Sequence, residues 1–134
     1  MTRYLLDTNA CIAMLNGSSP PLVARVRSHA PSDIGLSAVV LYELHYGANK
    51  SQRAVRNIEL LDSLLFETIP FGREDARESG AIRAELERLG RGIGPYDLMI
   101  AGQGRARDLT VITANTREFE RVSGLSIEDW AQTN

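Results

Sequence analysis

The sequence predicts an α/β fold, an α/β/α sandwich around a mainly parallel sheet, and three observations predict it. Short apolar or β-branched runs recur along the 134 residues, each leads towards a segment whose apolar residues have helical spacing, and two of them end directly on oxygen-bearing side chains, Asp7 and Thr113. Strands that alternate with helices pair in parallel and are covered on both faces, and in such sheets ligands bind beyond the carboxyl ends of the strands.

The elements follow in order. Tyr4, Leu5 and Leu6 form a strand that stops at Asp7, and residues 10–15 form a helix closed by the turn-rich Asn16-Gly17-Ser18-Ser19-Pro20-Pro21. A short helix over 22–29 ends before Pro31. Ile34, Gly35 and Leu36 form a second strand, and Ser37 is the N-cap of an apolar-striped helix over 38–46 stopped by Gly47. Val55, Ile58, Leu61, Leu64 and Leu65 mark the buried face of a helix over 52–65. Residues 68–71 form an edge strand, because Pro70 removes a ladder donor. A charged helix spans 73–89, with pairs Glu74/Arg77 and Glu87/Arg91. Gly90, Gly92 and Gly94 make a loop, Pro95 opens a helix over 96–107, Thr110-Val111-Ile112-Thr113 is the clearest strand, and Leu125-Ser126-Ile127 is a last short one.

Composition narrows the function. Hydrophobic residues at 43% and charged residues at 24% exclude a disordered chain. No apolar stretch approaches the roughly 20 residues of a membrane span. Cys11 has no cysteine to pair with, and the N-terminus lacks the charged start, apolar run and cleavage site of an export signal, so the expected compartment is a reducing cytoplasm. A net charge of −2 argues against nucleic acid only on average, since every basic residue but Lys50 is arginine, the side chain suited to phosphate. Setting four of the 17 acids aside for a metal site leaves 13 against 15 basic side chains.

Four clusters carry candidate chemistry. Asp7 follows a buried strand, though an N-cap also explains it. Glu43 projects from the apolar stripe of its helix, where a carboxylate needs a metal, an arginine or a route to water. Asp97 stands in a first helical turn, where it complements the helix dipole, among unusually apolar neighbours and the small residues Ala101, Gly102 and Gly104, which let the helix pack tightly on the sheet. Thr113, Asn115 and Glu118 follow the clearest strand in a stretch that also reads as an ordinary turn. Together these oxygen ligands gather at one side of the sheet, and several carboxylates share a site only if a cation offsets their repulsion. Oxygen ligands without suitably spaced histidine or cysteine select Mg²⁺ or Mn²⁺ over zinc; His29 and His45 lie away from the strand ends, and Cys11 reads as a small core residue. Such a site supports metal-assisted phosphoryl transfer.

In four blocks the chain resembles the PIN-domain ribonucleases and, within them, the VapC toxins of bacterial VapBC toxin–antitoxin pairs. The blocks are Tyr4-Leu5-Leu6-Asp7-Thr8-Asn9, Leu36-Ser37 through Glu43 to Gly47, Gly94-Pro95-Tyr96-Asp97 with Ile100-Ala101, and Ile112-Thr113 through Asn115 to Phe119. The resemblance implies a single PIN domain over 1–134, an α/β/α sandwich with a central mainly parallel sheet, and an endoribonuclease dependent on Mg²⁺, with Mn²⁺ able to substitute. The family's principal acids fall on Asp7, Glu43 and Asp97, with Thr8 and Thr113 as polar support. Its fourth acid falls on Asn115; Glu118 is the expected replacement charge, ahead of Glu120. Where family members often carry threonine, this chain has Val40. The resemblance further implies a VapB-type antitoxin laid across the active-site groove, a homodimer, and an RNA substrate, tRNA, with the initiator tRNA anticodon loop as the expected target. Arg105, Arg107, Arg117 and Arg121 are the arginines expected near it.

Other classes fit less well. A phosphate-signalling receiver domain needs an early pair of acids and a lysine after a late strand, and a haloacid-dehalogenase-like phosphatase needs an aspartate where Asn9 stands. The alternative kept is a catalytically degenerate PIN fold that binds RNA, because of Asn115.

Overall fold

Leu5 and Leu6 are wholly buried, as are Ile34, Val111 and Ile112, the pattern of strands covered on both faces. The computed structural model describes residues 1–132 and arranges five strands in one sheet. These are β1 (Tyr4–Leu6), β2 (Ile34–Ser37), β3 (Glu67–Ile69), β4 (Thr110–Ile112) and β5 (Ile127–Glu128), in the order β3-β2-β1-β4-β5 with every pairing parallel. The chain builds outward from β1 to β3, then crosses back to place β4 on the other side of β1. The strand order therefore reverses at β1 and β4, which is where an open parallel sheet leaves a crevice. Leu6 lies level with Leu36 on one side and Ile112 on the other, so Asp7 and Thr113 emerge side by side at the carboxyl edge, and the Asp7 N–H donates to the Ile112 carbonyl at 3.0 Å.

Seven helices surround the sheet: α1 (Thr8–Asn16), α2 (Pro20–Arg27), α3 (Ala38–Lys50), α4 (Ala54–Asp62), α5 (Arg73–Arg88), α6 (Pro95–Arg107) and α7 (Thr116–Phe119). Several boundaries differ from those the sequence predicts. Gly47 does not stop α3, which runs three residues further because Ala48 is buried, and that contact offsets the roughly 1 kcal/mol a mid-helix glycine costs. Pro20 and Pro21 start α2 instead of preceding it, under the Ser19 cap. The fourth helix ends at Asp62, before Leu64 and Leu65. Glu87 pairs back with Arg83 at 3.1 Å, since α5 ends before Arg91. The last strand lies at Ile127–Glu128, and the stretch after β4 contains the single turn α7.

The helix carrying Asp97 is fixed mainly against α5. Its neighbour buries one stripe, Asp75, Ser79, Ile82 and Leu86, and a Cβ at Gly102 would collide with the Ser79 side chain and backbone. Helix α6 meets the sheet at Val111, beside Gly104, and at Ile69 of β3, whose carbonyl accepts from the Gln103 amide at 3.3 Å. Two backbones approach here because glycine removes the obstacle. Asp75 is the one buried acid of this layer, and Arg107 neutralises it in a bidentate pair at 3.0 and 2.8 Å. Burial alone would raise its carboxyl pKa, but Arg107, the Gly72 N–H and Gln103 hold it below the usual range.

Candidate active site

Asp7 is both of the things its position allowed. Its Oδ1 accepts the Ala10 N–H at 2.8 Å and so caps α1, while the carboxylate, only 4% exposed, sits at the crevice between β1 and β4. Burial raises its pKa, and the charges of Glu43 and Asp129 add to that; the side chain of Thr113 and the Ala10 N–H act in the opposite direction. The Thr113 hydroxyl accepts the Asn115 N–H at 2.9 Å, which leaves its own proton to offer Asp7.

Glu43 is half-buried, and its Oε1 accepts a 2.7 Å hydrogen bond from the Thr8 hydroxyl. Thr8 thus supplies the polar neighbour that Val40, fully buried in the core, does not. Asp97, half-buried in the first turn of α6, has its pKa pushed up to about 6, by burial first and then by the charges of Asp7, Glu118 and Glu43. Glu118 is half-buried and receives the Asn115 Nδ2 at 2.9 Å, whereas Glu120 is exposed and caps the end of α7. The structure therefore centres the group on Asp97, which feels the charges of Asp7, Glu118 and Glu43, while Glu43 also acts on Asp7; Thr8, Thr113 and Asn115 are hydrogen-bonded to members of the group. Asp129, just beyond β5, also acts on Asp7; the sequence pattern does not reveal it, because it ends that strand two residues earlier.

None of these four acids takes part in an ion pair among the described residues, and an arginine partner for Glu43 is thereby set aside. The contrast with Asp75 is direct: one buried carboxylate is matched by a guanidinium and its pKa falls, while the cluster at the strand ends is unmatched and two of its pKa values rise. Among the described residues, no three carboxylate, imidazole or thiol groups already stand close enough together to grip an ion. The donor set still fits a hard divalent cation, since it is all oxygen, carries several negative charges and lacks any internal cation to offset them. Cys11 offers no soft ligand; it is wholly buried, and burial together with the charge of Asp7 pushes its thiol pKa up.

The four arginines expected near the site separate. Helix α6 runs against the strand direction, so Arg105 and Arg107 lie at its far end from Asp97, and both are engaged: Arg105 with Glu78 and the Ser123 carbonyl, Arg107 with Asp75 and the Pro70 carbonyl. Arg121 donates to the Gly92 carbonyl at 3.0 Å. Arg117 alone is exposed at α7 with no hydrogen-bond or ion-pair partner among the described residues. Beside Glu43, a groove of about 280 Å³ between α1, α3 and α4 is lined by Ile12, Leu15, Leu44, Gly47, Leu60 and Leu61. No helix among the described residues is long and apolar enough to cross a membrane.

The choice between Glu118 and Glu120 has a direct consequence. Glu118→Gln is expected to slow catalysis at least about tenfold and Glu120→Gln to leave it within about twofold, because only Glu118 acts on Asp97. Cleavage rates of the two variants check this, and equal effects would remove Glu118 from the site.

Comparison with known proteins places the fold in a family. Residues 4–125 match the model of the PIN domain. The chain is 42% identical to the tRNA(fMet)-specific endonuclease VapC of Shigella flexneri, over 98% of this chain and 100% of that protein. It is 40% identical to the protein of the same name from Salmonella typhimurium, over 97% and 99%. Among solved structures, DNA-bound VapBC from Salmonella typhimurium superposes with a TM-score of 0.91 at 40% identity, covering 97% of this chain and 99% of that one. VapBC2 from Rickettsia felis, bound to a DNA fragment from its promoter, gives 0.89 at 34% identity, covering 96% and 99%.

Proposed function

The chain belongs to the PIN-domain family, and from that premise we propose that it is the toxin of a VapBC pair, an endoribonuclease that hydrolyses RNA phosphodiester bonds with Mg²⁺ or Mn²⁺ at the crevice between β1 and β4. The observation that carries this reading is the unpaired acid cluster, in which Asp7, Glu43 and Glu118 all push up the pKa of Asp97. Asp7, Glu43 and Asp97 would hold the cation, with Glu118 and the Asn115 carbonyl as further oxygen ligands. When bound, the cation supplies Lewis-acid chemistry, activating water and offsetting charge at the phosphoryl group.

The remaining side chains set up this arrangement. Thr8 orients Glu43, Thr113 and the Ala10 N–H orient Asp7, and the Asn115 amide holds Glu118. Asn115 donates to Glu118, three residues on, and this favours Glu118 as the replacement charge over a chain that only binds RNA. Substrate reaches an open edge of the sheet, where a single-stranded loop can present a splayed phosphate and Arg117 can meet the backbone. The relatives from Shigella flexneri and Salmonella typhimurium are named for tRNA(fMet), and tRNA is the substrate we assign, with its anticodon loop as the exposed single strand. A VapB-type antitoxin is the partner, and the apolar groove ending at Glu43 is the seat we assign to its tail.

The test is incubation of the purified chain, freed of antitoxin, with total tRNA. Discrete fragments are expected in Mg²⁺, none in EDTA, and their return on adding Mn²⁺. Cleavage that survives EDTA would overturn the metal reading, and tRNA retained but uncut in Mg²⁺ would make the chain a binding module.

A further inference from the structure

Asp97 and Glu118 stand on different elements, and the segment that sets where the first turn of α6 lies is weakly specified. Residues 90–94 connect α5 to α6, contain Gly90, Gly92 and Gly94, and hold no regular structure beyond the turn at Gly90. Among the described residues, one side chain from another element hydrogen-bonds to this connection: Arg121, whose Nη1 donates to the Gly92 carbonyl at 3.0 Å. From the opposite direction, Arg105 on α6 sends its Nη1 to the Ser123 carbonyl at 3.0 Å and its Nη2 to Glu78 at 3.1 Å. The short segment after α7 is thus tied to α6 twice, once before its first residue and once near its last turn, by arginines that reach in opposite senses. The Arg121 side chain is half-buried: its Nη1 makes this bond at the exposed surface, while its Nε is buried and has no partner among the described residues, a desolvation cost that an arginine spread over the surface avoids.

We propose that Arg121 is a positioning residue for the acid cluster, fixing the start of α6 against α7 and so the placement of Asp97 relative to Glu118. The proposal rests on the metal-nuclease reading above. It gives Arg121 a role distinct from the RNA contact expected of it from sequence, because its donor is spent on backbone. Packing against α5 and the sheet anchors α6 from Leu98 onward, so without that tie the glycine-rich connection loosens only the exposed start of the helix up to Asp97, and a cation bridging Asp97 and Glu118 binds less tightly when its ligands have to be gathered first.

The experiment measures Mn²⁺ binding to metal-free protein by calorimetry or electron paramagnetic resonance, and hydrogen exchange of the amides of residues 92–97, in wild type, Arg121→Met and Arg121→Lys. Arg121→Met is expected to weaken Mn²⁺ binding about tenfold and to speed exchange over 92–97. Arg121→Lys keeps a donor within reach of the Gly92 carbonyl and should restore most of both. Unchanged Mn²⁺ affinity in Arg121→Met would overturn the proposal. So would weaker affinity with unchanged exchange, since Arg121 would then act on the ligand directly. Should Arg121→Met lose its fold, Arg121→Gln is read in the same two assays against the same outcomes. A wild-type protein that binds no Mn²⁺ would overturn the metal-nuclease reading and the positioning role with it, while faster exchange in Arg121→Met would still identify the tie.

Discussion

Asp7→Asn is expected to lower RNA cleavage by more than about a hundredfold while the protein remains folded. The two outcomes separate because Asp7 does two things through different properties. Capping of α1 needs an oxygen that accepts the Ala10 N–H, and the asparagine carbonyl keeps it. The site needs the negative charge at the centre of the crevice, which asparagine lacks. Since burial already disfavours that charge in metal-free protein, its removal should not lower the melting temperature. Single-turnover cleavage of tRNA and a circular-dichroism melt check both halves, and a variant as fast as wild type would deprive Asp7 of its place in the chemistry.

Asp97→Asn should likewise lose cleavage, and it should gain stability in a way that depends on pH. The folded pKa of Asp97 is about 6, above its ordinary 3.8, so the folded protein binds a proton there more tightly than the unfolded chain does. Stability from this group is therefore full below about pH 4 and is lost as pH rises through 6. A rise of that size corresponds to roughly 3 kcal/mol, which partial exposure and solvent screening reduce to about 1–2 kcal/mol. The favourable interaction of the charge with the α6 dipole, about 0.3–1 kcal/mol, works against this gain and draws it towards the lower figure. At pH 7.5 without metal, Asp97→Asn is expected to melt about 3–8 °C above wild type, and the gap should close by pH 4. Saturating Mg²⁺ should also close it, because binding at a hundred times Kd stabilises the wild type by about 2.7 kcal/mol. A variant that melts below wild type at pH 7.5 would mean that the charges around Asp97 are already compensated.

The parts of this molecule that follow local rules were readable in the sequence. β1 is buried throughout and β4 at Val111 and Ile112 because both faces are covered, Ser37 caps α3, and Asp7 is conspicuous as an acid directly after a buried strand. What resisted reading depended on partners distant in sequence. Gly47 looks like a helix terminus until Ala48 is seen to be buried. Asp75 looks like one more charge on a solvated helix, yet it is 1% exposed and answered by Arg107, 32 residues later. Asp129 follows a strand only two residues long, too short for alternation to mark its end. The arginines misled most, since closeness in sequence to Asp97 and Glu118 put Arg105 and Arg107 near the site, whereas both stand in the last turn of α6 and are spent on Glu78, Ser123, Asp75 and Pro70.

The strand order carries a last consequence, for how the protein comes into being. The centre of the sheet is made first, but Asp7 gains its neighbours Ile112 and Thr113 only when β4 arrives, and Asp97 gains Glu118 later still. A ribosome that has just made α6 has already made Asp7, Glu43 and Asp97, but not the strand β4 that lies beside Asp7. Because a contact across so many residues has to wait for the far segment to emerge, the acid cluster cannot close until β4 and α7 have been made.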